Sequence, residues 1–377
     1  MATGTLTAYD LTVGVIVDMN ESIYLTSAQD SPMITGVDAD GLSVLSTRAT
    51  RQKKIEWMHD AILTPRSTLA ALLVTATAFV TVASGHQTRF STGDLLRLGD
   101  TNEELLRVTG YGSTADTLTV TRSYGAGAAT THDTSDNIIM VGTALAEGSD
   151  PENGRATDRT QDYNLTQIFG PSQIQMSRTE QIVQKYGVSA EFAYQMQMRV
   201  TENAISREQA ILYGERTEST TTKIRSMGGL EYFITSNVDA TSTQITETSI
   251  QSNQQTLYNA GGMADRLIAN PTALTDLNSL TDSNRVRVEF ADSRRGRVPV
   301  TVVTTEFGDV TVVRNRWNLA TDAWLINREQ VTRVIMTPLR AERLAKTGDS
   351  DKMQIVCEES LEVIGEDHMA RFSALVY

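Results

Sequence analysis

Cysteine is nearly absent from this chain: Cys357 is the only one in 377 residues. No intrachain disulfide and no thiolate metal cluster can form from a single thiol. It sits in the apolar run QIVCEESLEV, where a small buried hydrophobe is the better reading than a nucleophile. Lysine is scarce as well, confined to Lys53, Lys54, Lys185, Lys223, Lys346 and Lys352, so arginine carries most of the positive charge. Arginine's planar fork pairs bidentately with carboxylates and is favoured in protein interfaces. A net charge of -13 and a pI near 4.9 argue against tight phosphate-backbone binding, which needs clustered basic residues. Arg294, Arg295 and Arg297 form the one basic run, and with Glu289 and Asp292 beside it we read an exposed loop pairing with another chain.

Long apolar runs are missing too. The longest, Leu69 to Ala83, is too short to span a bilayer and is interrupted by threonines, so it reads as strand or buried turn. No basic region leads an apolar stretch at the N-terminus, so no secretion signal is read there. The four histidines, His59, His86, His132 and His368, fall in separate segments without ligand spacing. There is no HExxH, no GxSxG elbow, no Walker loop and no dinucleotide fingerprint. Gly125 and Gly127 in SYGAGAATTH imitate a phosphate loop, but no lysine follows and no helix opens there, so a turn is the better reading. The acidic pairs Glu103-Glu104, Glu358-Glu359 and Glu366-Asp367 read as solvated charge on turns or strand edges. The sequence therefore nominates no catalytic, cofactor-binding or metal-binding residue, and no cofactor.

What is present centres on Ser177 to Gly214. Ser177 and Glu180 have capping-box spacing. Gly187 then separates a short helix from a longer one over about Ser189 to Tyr213. On the longer helix Ala193, Met196, Val200, Ala204 and Ile211 share a narrow apolar face, while Arg199, Glu202, Arg207 and Glu208 are expected to point elsewhere. Gly214 suits a left-handed position after the helix. A narrow stripe on a rod suits a strut across a thin molecule.

Elsewhere the texture is mixed. Residues 1 to about 50 predict an extended arm whose apolar runs are buried against a neighbour. In RQKKIEWMHDAILTPRS, Ile55, Trp57 and, further on, Ala61 and Ile62 could line a strand that ends at Pro65. From about Thr75 to Val141 short alternating segments between Gly, Asp and Asn turns predict a compact antiparallel barrel or sandwich. Beyond residue 228 come a helix near Thr246 to Ala260, a strand RLIAN, a short helix in TALTDLNSL, and a hairpin in VPVTVVTTEFGDVTVVRNRW with Gly308-Asp309 in the turn. MQIVCEESLEVIG and HMARFSALVY predict two strands pairing across GEDH.

Three patches together resemble a known family. KKIEWMHDAIL is similar to the segment leading from arm to extended loop in tailed-bacteriophage major capsid proteins of the Hong Kong 97-type (Johnson) fold. NLTQIF, QIQMSRTEQIVQKYG, EFAYQM and REQAILYGE resemble the strand and spine helix, and RAERLAKTGDSDKMQIVCEESLEV resembles the C-terminal helix or turn followed by peripheral-domain sheet. The resemblance implies an α+β chain: an N-terminal arm (1–54), an extended loop (55–165) carrying an inserted β-module (about 75–141), a peripheral domain with the spine helix (166–227 and 336–377) and an axial domain (228–335). It implies a non-enzymatic, self-assembling subunit of an icosahedral head around double-stranded DNA. Its partners would be itself in hexameric and pentameric capsomers, a portal protein, scaffolding and decoration proteins, and DNA by weak contact only, with no membrane. The setting would be the virion, assembled in host cytoplasm. Some family members cross-link their shells through a lysine on the extended loop; none lies between Lys54 and Lys185 here, so a non-covalent shell is expected. A tail or baseplate protein, or a phage hydrolase using module carboxylates, are the alternatives. The single long helix and the GDSDK pattern speak against the first, and the lack of a convergent acidic pair against the second.

Overall fold

Ser177 Oγ accepts from the Glu180 N–H at 3.2 Å, and helix Arg178–Ile182 follows. That bond satisfies an amide that no helical carbonyl can reach. The structure, a computed structural model, describes residues 30–36, 43–60, 62, 64–99, 103–125, 127–148, 159–183, 190–275, 277, 302–346 and 348–376. The long helix spans Glu191–Tyr213, 23 residues, roughly 35 Å at 1.5 Å per residue. Gly214 is not left-handed; its φ is -62°. Glycine is needed there for space, because a Cβ would lie 2.4 Å from Ala210 O and 2.7 Å from Met227 O.

The expected apolar stripe needs correction. Ala193 is exposed, Met196, Val200 and Ala204 are half-buried, and only Ile211 of that set is buried. The buried residues are Asn203, Arg207, Glu208, Ile211 and Leu212, so the face that packs inward is partly charged.

Under this helix lies a four-stranded sheet in the order Ser46–Ala49, Val331–Arg343, Ser350–Val363, Gln167–Ser177. The first pair is parallel and the other two are antiparallel. Both strands that flank Ser350–Val363 shift register at a proline: one around Gly170 and Pro171, the other around Pro338. Proline has no N–H for a ladder and is tolerated at such bulges, and Gly170 there takes φ 102°. RAER is the end of strand Val331–Arg343 and not a helix. Met33, Val44 and Leu45 are buried in this chain's own core. For these residues the expectation of burial only against a neighbour is therefore corrected.

A second, six-stranded sheet runs Val238–Asp239, Ala370–Phe372, Ala323–Ile326, Arg266–Ala269, Gly308–Arg314, Val302–Thr305. Successive side chains of a strand alternate between faces, and here both faces are covered. Ile268, Val313, Trp324 and Ile326 join the core beneath the long helix. Leu267, Val312, Leu325 and Phe372 join the core against helix Glu247–Ala260. That helix carries a reciprocal cap between Thr246 and Ser249 and ends at Gly261 with φ 93°.

Two expectations fail in this region. The hairpin turns at Glu306-Phe307, with Thr305 opposite Gly308. Thr305 Oγ1 accepts the Phe307 N–H at 3.2 Å, a side-chain turn that moves the bend forward. The tail strands do not pair with each other: Ser350–Val363 lies in the four-stranded sheet and Ala370–Phe372 in the six-stranded one. Glu366 accepts from Thr235 N, Thr235 Oγ1 and Ser236 Oγ at 2.9–3.0 Å, which steers the link into the second sheet. The chain turns over 271–275, and most of the rest of TALTDLNSL, where a short helix was expected, lies with the Arg294–Arg297 run outside the described residues.

Residues Met58–Gln161 form a separate compact unit, entered and left through the paired strands Lys54–His59 and Thr160–Leu165. Its strands run Arg66–Thr68, Asn137–Thr143, Asp94–Leu98, Glu104–Tyr111, Thr117–Thr121, Phe79–Thr81, all antiparallel. The two edges meet at the Leu69–Val82 bridge, with Ala70 N to Thr81 O at 2.9 Å and Ala83 N to Thr68 O at 3.0 Å. These bonds close the sheet into a barrel around Leu73, Phe90, Leu96, Leu106, Leu118 and Ile138. Closure removes the exposed edges that a short open sheet would leave.

Candidate functional site: buried charge under the long helix

Of the charged residues that the sequence placed away from the core, Glu104, Arg207, Glu208 and Glu359 are buried, whereas Glu103 and Glu202 are exposed as expected. Arg207 Nε and Nη2 donate to the two oxygens of Glu359, each at 2.7 Å, a fork-to-fork pair that fixes helix to sheet. Arg333 Nε lies 3.4 Å from Glu359 Oε2, while its Nη1 donates to Ile34 O at 3.2 Å. Burial would lower the Arg207 guanidinium, but Glu359 outweighs that and raises it. Cys357 is buried beside them with its thiol pushed up to about 11 by burial, which leaves it a protonated, packed side chain.

Glu208, the next helix residue, faces neutral partners. Its oxygens accept the Met33 N–H at 2.9 and 3.1 Å and Asn315 Nδ2 at 2.6 Å. Burial pushes its carboxyl up to about 7, against the pull of those hydrogen bonds and of Arg333. Helix, N-terminal segment and both sheets thus meet at one buried polar junction.

Glu358 accepts from Thr166 Oγ1 at 2.7 Å and pairs with Arg225. In the barrel Glu104 is wholly buried, and Arg122 grips it through Nε at 2.8 Å and Nη2 at 2.5 Å. The Ser123 and Thr130 amides donate to it at 3.0 and 3.2 Å. The glycine-rich loop therefore wraps this chain's own carboxylate, not a phosphate. Burial would raise Glu104, but Arg122 and the two amides hold it down at about 2.

The histidines are spread: His132 by Glu104, His86 against Ser67 and His368 against Gln330. Among the described residues no three His, Cys, Asp or Glu side chains gather as a metal site, and no helix is long and apolar enough to cross a membrane.

The mixed α+β fold, with a long helix lying on a bulged sheet, matches that of Hong Kong 97-like capsid proteins. The capsid of a native GTA particle matches at TM-score 0.55 and 8% identity over 100% of both chains. Microbacterium phage Oxtober96 matches at 0.53 and 11%, over 98% of this chain and 99% of that one. The capsid of Myoviridae phage XM1 matches at 0.53 and 11%, over 99% and 100%. The particular family follows from the sequence: the SU10 major capsid protein profile matches residues 1–376, and the chain belongs to that family. No curated protein matches it. It is a structural capsid-shell protein.

Proposed function

We infer that the chain builds an icosahedral head around double-stranded DNA from hexameric and pentameric capsomers, and does so without catalysis. The observation that carries this reading is the use of its charged groups. Arg207, Arg225 and Arg122 are each locked to a buried or half-buried carboxylate, which makes a rigid frame and leaves the net negative charge outside. A wall of that sign holds DNA weakly, so the genome does not snag during packaging. Within the frame we assign 1–54 to an arm, 55–165 to an extended loop, 166–227 and 336–377 to a peripheral domain and 228–335 to an axial domain. Strand Ala370–Phe372 is the exception within 336–377, because it lies in the six-stranded sheet with strands of 228–335. Assembly in host cytoplasm with portal, scaffolding and decoration partners completes the proposal.

The shell is held by non-covalent contacts. Lys53 Nζ is paired to Glu218 at 3.0 Å, and Lys54 Nζ to Glu56 at 2.5 Å with the Tyr163 ring 4.1 Å away. Both amines at the loop's base are thus occupied. The test is electron microscopy of the chain expressed with its scaffold, followed by boiling the particles in detergent and reductant. Closed shells that dissolve to one band at monomer mass are expected. A purely monomeric protein overturns the shell reading, and a surviving ladder of bands overturns the non-covalent one.

A further inference from the structure

We propose that the hairpin 217–226 seats a carboxylate side chain from a second copy of this chain, with Lys223 as the cation that grips it. The proposal rests on the capsid-family match, which brings copies side by side, and names a contact between them.

Lysine is scarce in this chain, yet Lys53 and Lys223 line one cavity of about 310 Å³. Strands Thr217–Glu218 and Arg225–Ser226 pair antiparallel, and Lys223 stands on the turn between them. Glu218, Ile224 and Arg225 line the same cavity, within a single compact unit. Lys53 and Arg225 are already answered. Lys53 Nζ meets Glu218 at 3.0 Å, while Arg225 donates Nε to Thr166 O and Nη2 to Glu358. Lys223 is exposed and has no partner for its charge among the described residues.

Two further observations point to a protein partner. Lys223 takes φ 58°, a left-handed conformation that glycine or asparagine adopts more readily. Backbone held in that region clusters at binding sites. Beside it Ile224 is 69% exposed, bare apolar surface on the wall of the cavity. A cation next to uncovered aliphatic surface suits a protein contact, where apolar packing surrounds a few charge-assisted bonds. A free ion makes no use of the isoleucine. Nucleic acid needs a longer basic array than one unanswered lysine.

Charge complementarity selects the chemistry. With 46 Asp and Glu against 33 Lys and Arg, every copy carries carboxylates that its own cations do not answer. A cation on one surface that meets an acid on another makes a heterologous contact, the kind from which rings close. Arg225 and Lys53 already hold carboxylates of their own chain in the same wall, so a further carboxylate enters a cavity built for that group.

Carbodiimide coupling of the full-length protein tests this, because it joins an amine to a carboxylate that touches it. Isotope-labelled and unlabelled subunits are mixed, allowed to associate, coupled, digested and read by mass spectrometry. Expected is an amide between Lys223 and an Asp or Glu peptide of the other label. Lys223→Gln should weaken association at low salt about tenfold, as loss of one charge-assisted contact does, and Lys223→Arg should restore it. Oligomers or shells in which Lys223 couples only within its own copy, or not at all, overturn the seat and leave the capsid reading standing. A chain that stays monomeric overturns both. If inorganic phosphate or duplex DNA shields Lys223 from amine labelling, whereas association does not, the anion is a phosphate and the carboxylate assignment falls.

Discussion

Glu104 in the barrel and Glu208 on the long helix are both wholly buried carboxyls, yet they sit on opposite sides of the ordinary value, at about 2 and about 7. Depth alone therefore decides nothing. Glu104 receives two charge-assisted bonds from Arg122 and two backbone amides, and those exceed the cost of leaving water. Glu208 has amides and Asn315, and they do not. A buried carboxyl with a dedicated cation is a fixed rivet, whereas at Glu208, a joint without one, burial pushes the carboxyl toward its neutral form.

The largest way to break this contrast is to remove the cation from the rivet. Arg122→Met leaves Glu104 buried without its guanidinium, with only the Ser123 and Thr130 amides and His132 beside it, and should cost the barrel about 3–5 kcal/mol. The Arg122 guanidinium also donates to Val74 O and Thr130 O at 2.9 and 2.6 Å, so loop order should fail with it. Calorimetry of the full chain, with exchange mapped over 94–143, would show an early barrel transition. An unchanged transition would mean that Arg122 does not hold Glu104 down.

Next in size is the acid response. Glu104's folded value lies below its unfolded 4.5, so its contribution is fully present above pH 4.5 and is lost as pH falls through about 2. The amount is about 3 kcal/mol. Glu208 has the reverse sign, gaining as pH falls from about 7 to 4.5. Barrel stability measured from pH 5 down to 2 should drop in the unmodified chain and drop by less in Glu104→Gln. Equal slopes would assign the acid sensitivity elsewhere.

Much of the frame could be read from sequence, and the rivets could not. The cap at Ser177, the helix to Tyr213, strands at Ile55 and Trp57, and the helix ending at Gly261 all follow from local pattern. Buried charges were assigned to solvent because isolated charged residues usually lie there. A signal was nevertheless present: each stands in phase with an apolar face. Glu104 precedes Leu106 and Val108 at strand spacing, Glu359 lies between Cys357 and Leu361, and Arg207 lies one turn from Ile211. What no local pattern contains is the partner, since Arg207 meets Glu359 from 152 residues away. The tail's pairing failed for the same reason, because the bonds that redirect it come from Thr235 and Ser236.

A smaller effect tests the joint. Asn315→Leu removes the side-chain donor to Glu208 at 2.6 Å and an acceptor for the Trp317 N–H. It should cost about 1–3 kcal/mol and raise the Glu208 pKa, read by NMR titration, because a donor that favours the anion is lost. A Glu208 pKa that falls would mean that Asn315 stabilises the protonated form.

The smallest effect compares neighbours in sequence. Glu103 is more than half exposed and pairs on the surface with Arg97, itself 45% exposed, while the adjacent Glu104 is fully buried. An exposed pair gains little because water and salt screen it and two long side chains must be held still. Glu103→Gln should therefore change barrel stability by less than about 1 kcal/mol, and that small change should vanish in 1 M salt. Arg122→Met should keep most of its cost at the same salt, because a buried pair is screened far less. If Glu103→Gln proved as damaging as Arg122→Met, the Glu103-Arg97 contact would be part of the barrel's structure. Burial with a dedicated cation would then no longer separate rivet from surface charge.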